Sequence, residues 1–140
     1  MERIKEASYQ LIYDYNTRCP YELAASLGIE LYEHNLQHNR GFALNIKDRK
    51  IIGVYSELPE QEKRAVIAHE IGHLELHPGY GHFFMRDHTG FLLGREEREA
   101  EIFAAALLLD EPPEPGETAE AYAMRMGVPQ KMVEIYYKMR

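Results

Sequence analysis

The chain has 140 residues, 45% of them apolar and 28% charged, with a formal net charge of −7 and a single cysteine. Such a length and composition fit one folded domain with a sizeable core and exclude a disordered or low-complexity protein. One cysteine rules out an intrachain disulfide, the acidic balance argues against nonspecific nucleic-acid binding, and no apolar run is long enough to span a bilayer.

Met1 to Glu6 lack the apolar core of a secretory signal, so the expectation is a soluble cytoplasmic protein without membrane association. The first helix is predicted over about Arg3 to Tyr15, where Ile4, Ala7, Leu11, Ile12 and Tyr15 recur at helical spacing. Pro20 opens a short helix carrying Leu23, Ala24 and Leu27, and Gly28 stops it. Ile29–Tyr32, Gly41–Asn45 and Ile51–Val54 read as short strands, joined by polar turns at Asn35–Arg40 and Lys47–Arg49. The apolar stretch Gly41-Phe42-Ala43-Leu44 is expected at a sheet edge, where an extended substrate can pair with it.

A long amphipathic helix follows from about Pro59 to His77, opened by Pro59 and Glu60 and closed by Pro78-Gly79. From Pro78 to Gly94 no period is visible, and this Gly-, His- and aromatic-rich stretch is predicted to be a loop on the rim of a cleft. A second strong helix runs from about Arg95 to Leu109, ahead of the breaker Pro112-Pro113-Glu114-Pro115-Gly116. Two short helices, about Glu117–Met126 and Pro129–Met139, complete an α+β layout. The expected organisation is a single domain over 1–140: helices and strands in 1–58, two metal-binding helices in 59–110, and C-terminal helices in 111–140. The last two helices have helix-turn-helix spacing. Glu134 and the apolar Met132, Val133 and Ile135 favour packing on the core over base readout.

The stretch His69-Glu70-Ile71-Gly72-His73 carries the chemistry. Two histidines four residues apart lie on one helix face, so both imidazoles can reach one metal ion. Glu70 sits about 100° round the helix, beside the ion's open position, where it can take a proton from a metal-bound water. The pattern implies metal-assisted hydrolysis, most often of a peptide bond, with Glu70 as catalytic base and one Zn2+ per chain. His77 continues the same stripe, but the Pro78-Gly79 break directs it to the carbonyls at the helix end and away from ligation.

A catalytic zinc site takes three protein ligands and leaves one position open. Glu96, Glu97, Glu99 and Glu101 cluster at the start of the second long helix; Glu97 and Glu101 share a face, and Glu99 points elsewhere. One carboxylate of that pair can bind the metal while the other accepts the distal N–H of a ligating histidine. Spacing does not choose between them, and acids in a first helical turn also complement the helix dipole. Tyr80, His82 and His88, in the stretch between the two helices, are candidates to stabilise the oxyanion formed on attack.

Ile67-Ala68-His69-Glu70-Ile71-Gly72-His73-Leu74-Glu75-Leu76-His77, followed by Glu97-Arg98-Glu99-Ala100-Glu101-Ile102-Phe103-Ala104-Ala105-Ala106-Leu107-Leu108, resembles the ImmA/IrrE metallopeptidase family. Those proteins pair an H-E-x-G-H helix with a downstream E-x-x-A-N/D-x-F-A-x-x-L-L helix, and the order of the preceding elements is also similar. The resemblance implies a zincin-like α+β domain with His69, His73 and Glu97 as ligands and Glu70 as base. Glu101 stands where the family usually has Asn or Asp, as a partner of the site or an alternative ligand. The implied function is zinc-dependent cleavage of a helix-turn-helix transcriptional repressor, which relieves repression of phage, mobile-element or stress genes. The alternative is a metal-containing regulatory module that binds a repressor or other protein partner without cutting it.

Overall fold

The computed structural model describes residues 1–77, 82–85 and 94–137, with the backbone alone at 82–85. Its elements are α1 (Glu2–Tyr15), α2 (Pro20–Ser26), β1 (Ile29–His34), β2 (Asn39–Ile46), β3 (Arg49–Tyr55), α3 (Glu60–Leu76), β4 (His82–Met85), α4 (Arg95–Leu108), α5 (Ala119–Met126) and α6 (Gln130–Tyr137). The fold is α+β, as expected, and the helix boundaries fall within two residues of those read from spacing and breakers.

Local chemistry explains most of these ends. Pro20 occupies the first turn of α2, where its missing N–H leaves no bond unmade, and Gly28 follows the helix at φ +74°, a conformation that suits glycine. Thr118 caps α5 by accepting from the Ala121 N–H at 3.1 Å, and Gly127 ends it at φ +72°. The last carbonyls of α4, at Ala106 and Leu107, each accept from the Arg18 guanidinium at 3.2 Å.

The four strands form one mixed sheet in the order β1-β3-β2-β4. β1 runs parallel to β3, whereas β2 is antiparallel to both β3 and β4. Two expectations are corrected here. The stretch after α3 is not loop throughout, because His82–Met85 form β4. Gly41–Ala43 are not on the edge either, since β4 pairs with them: Gly41 with Phe84, Phe42 with Phe83 and Ala43 with His82. A four-residue strand has too few positions to show a period, and its pairing partner lies about forty residues upstream, so nothing local marks it.

The sheet packs against α3, and α4 lies against α3 from the far side, flanked by α1 and α6. This sandwich alters the reading of α3. Its polar first half matches an amphipathic surface helix, but every residue from Ala65 to Leu74 is buried, whatever its face. With the sheet below and a helix above, a central helix has no solvent side to keep polar. One hydrophobic cluster joins Ile4 of α1, Leu23 of α2, Ile52 of β3, Ile67 and Ile71 of α3, Phe103 and Leu107 of α4, and Tyr122, Met132 and Tyr136 of the C-terminal pair. The α5–α6 pair thus buries Tyr122, Ala123, Met132 and Val133 in the core, the packing its apolar residues predicted. No helix among the described residues is long and apolar enough to cross a membrane.

Candidate metal centre

Burying ten consecutive residues of α3 also buries His69, Glu70 and His73, three of the few buried polar side chains among the described residues. Groups of this kind enter a core only when their hydrogen-bonding and charge demands are met there. α4 meets them. Glu97 lies between the two imidazoles, with one carboxylate oxygen 3.0 Å from His69 Nε2 and the other 3.2 Å from His73 Nε2. The two Nε2 atoms are themselves 3.2 Å apart.

The donor set and its spacing fit a small divalent ion. His69, His73 and Glu97 each offer one ligand atom, all within 4.8 Å of one another. Ligands about 2.0–2.1 Å from a tetrahedral metal stand roughly 3.3 Å apart; here the two nitrogens are 3.2 Å apart, and each lies 3.0–3.2 Å from a different Glu97 oxygen. Two imidazoles and a carboxylate are also the ligand types of a hydrolytic metal site with an open position.

Glu101, one turn further along α4, takes the other side of the first histidine: its carboxylate accepts from His69 Nδ1 at 2.8 Å. With a metal in place of the proton on Nε2, that bond keeps the remaining ring proton on Nδ1. Burial opposes a charge on His69, but the hydrogen bonds to Glu101 and Glu97, with the field of Glu70, outweigh it and raise its pKa to about 10. So concentrated a negative environment favours a cation at the imidazole nitrogens, and a metal there displaces the proton.

Two glycines make the close approaches that this geometry requires. A Cβ on Gly72 would stand 3.1 Å from the Phe103 ring and 3.2 Å from both Cα and O of Ala100. The glycine inside the metal motif thus lets α4 come near enough for the short side chains of Glu97 and Glu101 to reach α3. On the opposite side, a Cβ on Gly41 would overlap Val66 and stand 3.2 Å from the Gly53 carbonyl and 3.5 Å from Glu70 Oε2. Glu70 is therefore fully buried with its carboxylate against the β2 backbone.

The structure brings together the sequence-predicted His69, His73, Glu97 and Glu101, and sorts the two acids by position: Glu97 faces both Nε2 atoms, and Glu101 faces His69 Nδ1. Tyr80 and His88 lie outside the described residues, as does the side chain of His82. His77 departs from expectation. Its ring does not turn to the carbonyls at the helix end; Nδ1 lies 3.2 Å from His73 Nδ1 and Nε2 lies 2.9 Å from Glu99. The His77 hydrogen bond holds the Glu99 carboxyl below its ordinary range, with burial opposing and Arg95 assisting. Spacing singles out neither Gly41, nor Gly72, nor the His77–Glu99 pair. Gly72 alone leaves a local signal, a glycine inside an otherwise strong helix.

Residues 24–125 match the IrrE N-terminal-like domain family of peptidases. The chain belongs to this family. Membership makes it a metallopeptidase-type protein, in keeping with the His69–His73–Glu97 group. The chain is also 41% identical over 107 residues to an uncharacterized immunity region protein 2 of Bacillus phage phi105, an alignment covering 76% of this chain and 68% of the phage protein. The matched family segment contains both α3 and α4 entire, so the histidines and the carboxylates that face them fall inside it.

Proposed function

We propose that the chain is a zinc-dependent endopeptidase that cuts a DNA-binding, helix-turn-helix repressor and so relieves repression of phage, mobile-element or stress genes. The observation that carries this reading is the convergence of His69 Nε2, His73 Nε2 and both Glu97 oxygens on one point, with the buried Glu70 carboxylate on the same helix. Family membership supports the peptidase chemistry, and the phage relative's immunity-region description supports a repressor as substrate.

In this reading His69, His73 and Glu97 are the ligands. Zinc held by them would polarise a peptide carbonyl and lower the pKa of a water to about 7. Glu70 accepts the proton of the attacking water and passes it to the nitrogen of the leaving amine, which needs a group able to act as base and then as acid. Glu101 keeps His69 in the Nδ1–H form, with Nε2 free to ligate. The β2 backbone at Gly41 restricts where the Glu70 carboxylate can sit, which fixes the direction of proton transfer.

Glu70→Gln preserves the shape of the side chain and removes its basicity. It is expected to bind zinc as wild type does and to cut its helix-turn-helix repressor substrate at least about 10²-fold more slowly. Full activity of that variant overturns the mechanism. Equal relief of DNA binding by wild type and Glu70→Gln, without fragments, would assign the chain to the non-catalytic module.

A further inference from the structure

The contacts of His77 extend the site beyond its ligands, and they rest on the reading of His73 as one of those ligands. We propose that His77 and Glu99 are positioning residues for His73: the carboxylate orients the His77 ring, and that ring orients His73 toward the metal.

Protons can be assigned along this chain of contacts in order. An ionised carboxylate only accepts, so the proton between Glu99 and His77 sits on His77 Nε2, 2.9 Å from the oxygen. A neutral ring protonated at Nε2 carries its lone pair on Nδ1, and that atom is 3.2 Å from His73 Nδ1. When a metal takes the place of a proton on His73 Nε2, the atom that faces Glu97 and His69, the one remaining ring proton is on Nδ1 and is donated to the His77 lone pair. The opposite arrangement, with a proton on His73 Nε2, removes the ligand.

The backbone reinforces this. His77 is the C-terminal cap of α3, and its amide donates to the His73 carbonyl at 2.8 Å. Ring and main chain of His77 are thus both tied to the turn that carries His73. The two rings stand 5.3 Å apart between centroids at an interplanar angle of 49°. Glu99 is itself held, accepting from Arg3 of α1 and Arg95 of α4, each at 3.3 Å. The relay therefore runs from Glu99 of α4 through His77 to the metal ligand, and leaves the face used by Glu97 and Glu101 undisturbed.

The test is zinc affinity, measured by competition with a chromophoric chelator, beside the melting temperature of each metal-free protein. His77→Ala is expected to bind zinc about 10- to 100-fold more weakly than wild type, with little change in metal-free melting. His77→Asn puts an amide oxygen where Nδ1 was, so it restores most of the affinity. Glu99→Leu, which cannot accept, weakens binding by about tenfold, whereas Glu99→Gln, which can, stays near wild type. The proposal is overturned if His77→Ala binds zinc as wild type does, or if His77→Asn is as weak as His77→Ala. Should His77→Ala fail to fold, the Glu99 pair decides, and wild-type affinity in Glu99→Leu overturns the relay. His69→Ala separates the two readings: zinc lost there but kept in His77→Ala retires the relay alone, and wild type that takes up no zinc retires both.

Discussion

His69 and His73 stand one turn apart on α3, yet the protein holds them in different ways. His69 meets a carboxylate directly, with Glu101 at 2.8 Å from its Nδ1. His73 meets one through an intervening ring, with His77 at 3.2 Å and Glu99 2.9 Å beyond. Both arms end on α4 within three residues of each other, and both leave Nε2 turned inward. The first arm is short, a single hydrogen bond from ring to carboxylate. The second is anchored by Arg3 and Arg95, whose side chains are 67% and 84% exposed. The difference teaches that one helix can serve two ligands of another by presenting acids on two faces, Glu101 on one and Glu99 on the other.

The largest expected effect comes from removing both arms together. Glu101→Ala and His77→Ala each weaken zinc binding by about 10- to 100-fold. Because they act on different histidines, their factors are expected to multiply in the double variant. Glu99→Leu added to His77→Ala changes little, since the relay is already broken. A competition assay on this set of proteins sharpens the comparison, and multiplication within the His77–Glu99 pair breaks it.

Gly72→Ala is next in size, and it strikes what the two arms share. The added methyl meets the Ala100 backbone at 3.2 Å, which cannot yield, so α3 and α4 must move apart. Thermal unfolding is expected to show a loss of about 1–3 kcal/mol, with zinc affinity lowered through both histidines. An unaltered melting temperature would mean that the helices have slack, and that Glu97 and Glu101 reach α3 without the glycine.

Arg3→Ala is expected to be the smallest. An exposed ion pair contributes about 0–1 kcal/mol, and Arg95 still holds Glu99 on the same oxygen. Zinc affinity should stay within about threefold of wild type on that basis. A larger loss would extend the second arm into α1.

Part of this arrangement is legible in the order of residues alone. The i,i+4 spacing of His69 and His73, and of Glu97 and Glu101, is a property of a single helix, and a single helix follows from local periodicity. The same spacing correctly separates Glu99 from its neighbours. It cannot say that Glu99 has a partner, because His77 belongs to another helix, 22 residues earlier. Reading His77 by its position beside Pro78-Gly79 considers only its own helix end. β4 escapes for the same reason, as its partner β2 is distant in sequence and four residues are too few to show alternation.

The sequence by itself determined the two long helices, their ends, the residues that share a face and the type of chemistry those residues can perform. Each depends on neighbours within a turn or two, where backbone geometry leaves little choice. Only the tertiary structure decided which acid faces the Nε2 atoms, which histidine extends the site, and why glycine stands at positions 41 and 72. These depend on how closely α3, α4 and β2 approach, a distance set by packing over the whole core.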